Sequence, residues 1–284
     1  MAAVSDWRGV LALLALLPLL LGCAVEDPAR RAARADRLAT EQGWHRQLFR
    51  VPPFALVGYA SPGGPGTGDT LAVYIEGDGL AWEGRSEPST DPTPIVPTGL
   101  QLALQDPSRF RLYLARPCQY LSPAGLAACN PDYWLARRFA PEVIAALDQA
   151  IDRQKAAVGA RHVSLFGWSG GGAAAALVAA RRQDVTLLVT AAANLDTAAW
   201  TRIKDVSPLA GSLNPAEQAA RLQGIPQVHF TGRDDQVVPP AVLDAFLARM
   251  ADRRRVTRVA LAGFDHKCCW ARDWPDLLRR YVYP

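Results

Sequence analysis

The chain has 284 residues, half of them hydrophobic and a fifth charged, with a formal net charge of +4. That balance supplies a core for about one α/β domain and excludes a disordered chain. The basic residues are spread along the sequence, so no nucleic-acid partner is expected, and no internal repeat is present.

At the N-terminus Arg8 precedes an apolar run from Gly9 to Leu21, which ends in Leu20-Leu21-Gly22-Cys23. The run falls short of the ~20 residues that a spanning helix needs, so residues 1–22 read as a signal peptide. Leu-Leu-Gly-Cys resembles the bacterial lipobox, which implies lipidation at Cys23 and a membrane partner through that anchor. Ala24, where aspartate would imply retention at the inner membrane, points to the outer membrane. The expected location is therefore the periplasm, on a lipid anchor. Residues 23–50, with Arg30, Arg31, Arg34 and Arg37, read as a solvated helix or tether. A sharper reading of those arginines is contact with anionic lipid headgroups. Residues 51–284 form the domain expected to carry the chemistry.

Export places the remaining cysteines in an oxidising compartment. Cys118–Cys129 is the favoured pair, which leaves Cys268 and Cys269 as free thiols or a vicinal bridge. The spacings do not match a paired C-x-x-C arrangement, so no metal is expected, and nothing calls for another cofactor.

From Phe54 onward strand and helix patterns alternate. Strands are predicted at 54–60, 71–75, 111–115, 162–166, 185–191, 227–231 and 255–261. Helices are predicted at 142–155, 170–182, 215–222, 239–250 and 274–280. The glycine- and proline-rich stretch 61–68 reads as a hairpin-like loop. Such alternation predicts a mostly parallel sheet with helices on both faces, and its chemistry belongs at the carboxyl ends of the strands.

One of those ends carries Gly167-Trp168-Ser169-Gly170-Gly171, between a short apolar strand pattern and an alanine-rich helix pattern. G-x-S-x-G in that setting is a nucleophile elbow: a strained turn that holds the serine clear of the sheet. Gly167 and Gly171 lack Cβ atoms and let strand and helix pack around the bend. A serine needs a base, usually a histidine oriented by a carboxylate. Four histidines exist. His45 precedes the predicted sheet, His162 opens the strand leading to the elbow, and His229 lies inside a strand. His266, just after the last strand, remains. The acid belongs on a loop between serine and histidine, and Gly232-Arg233-Asp234-Asp235-Gln236-Val237-Val238-Pro239 follows a strand directly. Its pattern selects Asp235, with Asp196 as the less favoured stand-in and Asp265 as a loop-shaping residue.

An oxyanion needs two N–H donors. Gly170 supplies one at the start of a helix. Glu76-Gly77-Asp78-Gly79 occupies the place of an H-G-x-G segment and offers the Asp78 N–H as the second. The role of Glu76, where histidine is usual, is not evident from the sequence. Trp82, Trp168 and Trp270 flank these segments and could form an apolar wall, and the stretch from Asn194 to Asn214 could form a small cap.

Together the elbow, the acid loop and the histidine loop resemble the α/β-hydrolase superfamily over roughly Phe54 to the C-terminus; within it, Tyr-Ile-Glu-Gly-Asp-Gly at 74–79, Arg-Pro-Cys-Gln-Tyr at 116–120 and His-Lys-Cys-Cys-Trp at 266–270 resemble a group of bacterial exported serine hydrolases. The resemblance implies an α/β-hydrolase fold and a Ser169–His266–Asp235 triad that cleaves a small or medium carboxylic ester through an acyl-enzyme. A peptidase or amidase on the same triad, or an inactive lipid-anchored binding protein, stays open.

Overall fold

A computed structural model describes residues 26–64, 68–84 and 86–283. The predicted signal peptide and Cys23 lie outside the described residues. The described residues open with helix α1 (Pro28–Thr40), then β1 (His45–Val51), β2 (Phe54–Ala60), β3 (Thr70–Ile75), α2 (Thr98–Leu104) and β4 (Phe110–Leu114). It continues with α3 (Pro123–Ala127), α4 (Pro141–Val158), β5 (His162–Trp168), α5 (Gly170–Ala179), β6 (Val185–Ala191) and α6 (Thr197–Lys204). The last elements are α7 (Ala219–Leu222), β7 (Gln227–Gly232), α8 (Pro240–Ala248), β8 (Val256–Leu261) and α9 (Trp270–Leu277).

The strands form one sheet in the order β1-β2-β4-β3-β5-β6-β7-β8. β1 and β2, and β2 and β4, pair antiparallel; every other pair is parallel. Side chains alternate between faces, as the strand period requires. Leu71, Val73 and Ile75 of β3 enter the core under α4 and α5, whereas Ala72 and Tyr74 enter the core shared with α1, α2 and α9. After β3 the chain first goes to β4 on one side, then crosses to β5 on the other. The carboxyl ends of β3 and β5 therefore flank a topological switch point, where open α/β sheets form their ligand crevice.

Two expectations need correction. The loop expected at 61–68 does not join a hairpin, because β2 pairs with β4 rather than with β3. Nor are residues 23–50 a tether as a whole: α1 packs against the sheet and β1 pairs with β2 along its length. Ala35 and Ala39 of α1 are fully buried, and Pro28 at its first turn follows the Asp27 cap. Arg31 is buried too and donates to the carbonyl oxygens of Asp91 and Thr93; Arg34 pairs with Glu26 at 2.6 Å. Arg31, together with a bond from Arg34 to the carbonyl oxygen of Ile95, ties the helix to the loop before α2.

Cys118 and Cys129 are disulfide-bonded with Cα atoms 5.9 Å apart, and Cys268 is bonded to Cys269. The first bridge closes a short loop that contains α3. Replacing both Cys118 and Cys129 with serine is expected to lower stability by about 2–3 kcal/mol, read from the urea midpoint. An unchanged midpoint would show that the loop needs no crosslink.

Candidate active site

The turn after β5 carries Ser169 at φ 55° and ψ −126°. Positive φ is costly for a residue with a Cβ and persists only where its surroundings impose it. Here the Ser169 N–H donates to Ala191 O at 2.9 Å, and the Ser169 carbonyl accepts from Gly172 N at 3.0 Å. The glycines around it have no room for a side chain. A Cβ on Gly167 would lie 2.5 Å from Gly172 Cα, and one on Gly171 would lie 2.5 Å from Glu76 O. Strand, serine and helix therefore pack at backbone distance.

Ser169 Oγ lies 3.0 Å from His266 Nε2, and His266 Nδ1 lies 2.8 Å from Asp235 Oδ2. The other Asp235 oxygen accepts from the N–H groups of Val237 and Val238, both at 2.8 Å. Buried and held on both sides, this carboxylate presents one oxygen to the imidazole. Its neighbour Asp234 instead accepts from Gly263 N at 3.1 Å, which ties the acid loop to the histidine loop. Asp265 accepts from the N–H groups of Lys267 and Cys268, and those bonds hold its carboxyl below the ordinary range. Asp196, the stand-in acid, caps α6 by accepting from Ala199 N and Asn214 Nδ2, each at 3.0 Å. Of the remaining histidines, His229 is fully buried between Thr190 and Gln227, and burial pushes its pKa down to about 3. His45 and His162 open β1 and β5 at their amino ends.

Beside the serine, Gly77 presses against Trp168: a Cβ there would lie 2.7 Å from the indole and 3.4 Å from Ser169 Cβ. The next residue, Asp78, directs its N–H to no acceptor among the described residues, and Gly170 opens α5 with an N–H that has no intrahelical partner. These are the two candidate oxyanion donors. Glu76 fixes the loop that carries the first of them. Fully buried, it accepts from Gly77 N at 2.9 Å, Gly99 N at 3.0 Å and Tyr113 Oη at 3.0 Å. Burial raises its pKa against the pull of those donors. A raised carboxyl contributes stability that is complete at acidic pH and lost as pH climbs through the folded-state value. Glu76→Ala would orphan the buried donors of Gly77 and Gly99. It is expected to cost about 2–4 kcal/mol in chemical denaturation, with Glu76→Gln recovering most of that and flattening the pH dependence. A neutral Glu76→Ala would mean that the loop holds its shape without this carboxylate.

The Asp78 carboxylate packs on Gly170, where a Cβ would come within 2.8 Å of Oδ2. A negative charge there would oppose a developing oxyanion, but two arginines neutralise it. Arg116 Nη1 lies 3.3 Å from Oδ1 and Arg138 Nη1 2.6 Å from Oδ2. Burial acts to raise the Asp78 carboxyl, yet Arg138 and Arg116 outweigh it and hold the group below its ordinary range. Burial in turn brings the Arg116 guanidinium down to about 10.

The serine opens into a cavity of about 480 Å³ whose apolar wall includes Trp82, Ile95, Val96, Trp168, Trp200 and Val237. Trp270, expected in that wall, is fully buried beneath Phe264, so its ring belongs to the core. Trp200 takes its place: α6, inside the stretch from Asn194 to Asn214, docks on the acid loop through Trp200 Nε1 to Val237 O at 2.8 Å. A larger cleft of about 1050 Å³ lies between α1 and segment 120–134, without a histidine in its lining. Two polar residues of the cavity beside Ser169, Arg138 and Lys267, carry no sequence signal that marks them as site residues.

No family model and no curated protein matches the sequence. Solved structures do match. An α-β serine hydrolase homologue from Coxiella burnetii aligns with a TM-score of 0.58 at 15% identity, covering 84% of this chain and 97% of that one. The acylaminoacyl peptidase of Pyrococcus horikoshii aligns at 0.61 and 12% identity, over 84% of this chain and 40% of the peptidase. The esterase domain of a Rhodothermus marinus protein aligns at 0.55 and 15% identity, over 82% of this chain and 94% of the domain. At such identities the likeness is one of fold. The switch-point crevice, the strained serine between strand and helix and these alignments agree on one conclusion: the chain has the α/β-hydrolase fold.

Proposed function

We propose that the chain is a serine hydrolase that cleaves small or medium carboxylic esters. The observation that carries this reading is the relay from Ser169 Oγ to His266 Nε2 at 3.0 Å and from His266 Nδ1 to Asp235 Oδ2 at 2.8 Å. In the proposed reaction Ser169 Oγ attacks the ester carbonyl while its proton passes to His266. Asp235 keeps the imidazole in the tautomer with hydrogen on Nδ1 and stabilises the imidazolium. The N–H groups of Gly170 and Asp78 receive the negative oxygen of the tetrahedral intermediate. His266 then protonates the leaving alcohol, and a water activated by the same imidazole releases the acid. A cavity of about 480 Å³ supports an acyl group of modest size.

Likeness to the P. horikoshii peptidase supports a second reading, amide cleavage on the same three residues. Matched p-nitrophenyl esters and p-nitroanilides with one acyl group separate the two. The ester reading expects turnover of the short-chain ester with no Ser169-dependent release from the anilide; Ser169-dependent turnover of the anilide would establish the peptidase reading. We also propose that the chain is exported and anchored to the membrane through Cys23, on the strength of the apolar run before it. A Cys23→Ser variant whose mass differs from wild type only by the sulfur-to-oxygen exchange, with unchanged membrane partition, would contradict that.

A further inference from the structure

We infer that Arg138 forms an anion-binding subsite in the catalytic cavity, and that the substrate carries a carboxylate on its acyl part. The inference rests on the ester-hydrolase reading and goes beyond it to the substrate class.

The positive charge in the cavity exceeds what the protein itself uses. Arg138 spends Nε on Leu135 O and Nη1 on Asp78 Oδ2, both at 2.6 Å. Among the described residues its Nη2 has no partner, and the side chain lines the cavity that Ser169 and His266 open into. Its salt-bridge partner is shared: Arg116 takes the other oxygen of Asp78 from behind. The group of one carboxylate and two guanidinium ions therefore carries a net positive charge.

Every other charged group near the cavity either adds to that field or is occupied. Lys267 stands at the mouth, exposed and adjacent to His266. Asp235 is buried and engaged with His266, Val237 and Val238. Asp265 turns its carboxylate to the backbone of Lys267 and Cys268. Glu76 is buried behind the loop and faces Gly77, Gly99 and Tyr113, and no carboxylate besides that of Asp78 lines the cavity among the described residues.

Position decides which part of the substrate bears the anion. His266 serves the leaving alcohol, whereas Arg138 stands on the wall formed by the oxyanion loop, joined to Asp78. A carboxylate reaching Arg138 therefore sits on the acyl chain. Guanidinium is the fitting group, because its planar donors can bind Asp78 and a second carboxylate together, which an ammonium in its place could not match geometrically.

The test compares mono-p-nitrophenyl adipate with p-nitrophenyl hexanoate, an acyl pair of equal chain length that differs in a terminal carboxylate. With the full chain at low ionic strength, kcat/KM for the adipate is expected to exceed that for the hexanoate about tenfold. Raising salt toward about 1 M, where the Debye length is ~3 Å, should narrow the ratio. Arg138→Gln should abolish the preference and Arg138→Lys should keep part of it. The wild-type ratio and its salt dependence decide the matter even if one variant fails to fold. Turnover of both esters with no preference for the adipate would overturn the subsite and leave the hydrolase reading standing. A preference that survives Arg138→Gln but vanishes in Lys267→Ala would move the anion to the mouth and overturn the assignment. Turnover of neither ester would overturn both readings.

Discussion

Ser169→Ala is expected to lower kcat by about 10⁴–10⁶-fold, and His266→Ala by a similar factor. The double variant should be hardly slower than either one. Ser169 Oγ and His266 Nε2 share one proton across 3.0 Å, so removing either partner already removes the step that the other serves. What survives in all three variants is the contribution of the two backbone donors and of substrate binding, which single and double variants share. Alanine is the suitable replacement at this turn, where the backbone is strained at φ 55° and a larger side chain would add a second change. Initial rates on a short-chain p-nitrophenyl ester measure the effect. Multiplicative losses in the double variant would show that the two residues act independently and would contradict the triad.

Asp235→Asn is expected to reduce kcat by about 10⁴-fold while leaving the fold in place. The Asp235 oxygen that accepts from Val237 N and Val238 N can be replaced by the amide oxygen, which keeps the acid loop closed. The position facing His266 Nδ1 then becomes an NH₂ donor. An imidazole that accepts there must carry its hydrogen on Nε2, the nitrogen that has to accept the serine proton. The chemistry fails because of the tautomer, not because the geometry is lost. Full activity in a folded Asp235→Asn variant would mean that another carboxylate orients His266. Asp196 cannot take that role from its position as the cap of α6.

What was legible in the sequence was local. The elbow announces itself because only glycine fits at 167 and 171 while a serine sits between, a pattern with few other causes. Chain order then placed Asp235 and His266 after successive parallel strands, and in a parallel sheet those loops meet at one edge. Non-local features were hidden. Nothing in 61–68 distinguishes a hairpin turn from a crossover, because both use glycine and proline, and the pairing of β2 with β4 is decided some 50 residues away. Arg31 reads as a solvated cation until the carbonyls of Asp91 and Thr93 come to meet it. Trp270 adjoins the histidine loop in sequence, yet its helix turns it inward beneath Phe264. Arg138 follows another arginine before α4 and looks like one more surface charge, though folding lays it across Asp78 from a segment 60 residues away. For the β2 connection, Arg31 and Arg138 the deciding partner is distant in the chain, so no short window of sequence contains it.

A fluorophosphonate probe tests whether Ser169 is activated. The purified chain is treated beside a folded Ser169→Ala control, and labelling is read by mass at the peptide that spans the elbow. Stoichiometric labelling of the wild type at Ser169, absent from the variant, is the predicted result. A folded wild type that stays unlabelled, or labelling that persists in the variant, would contradict an activated Ser169.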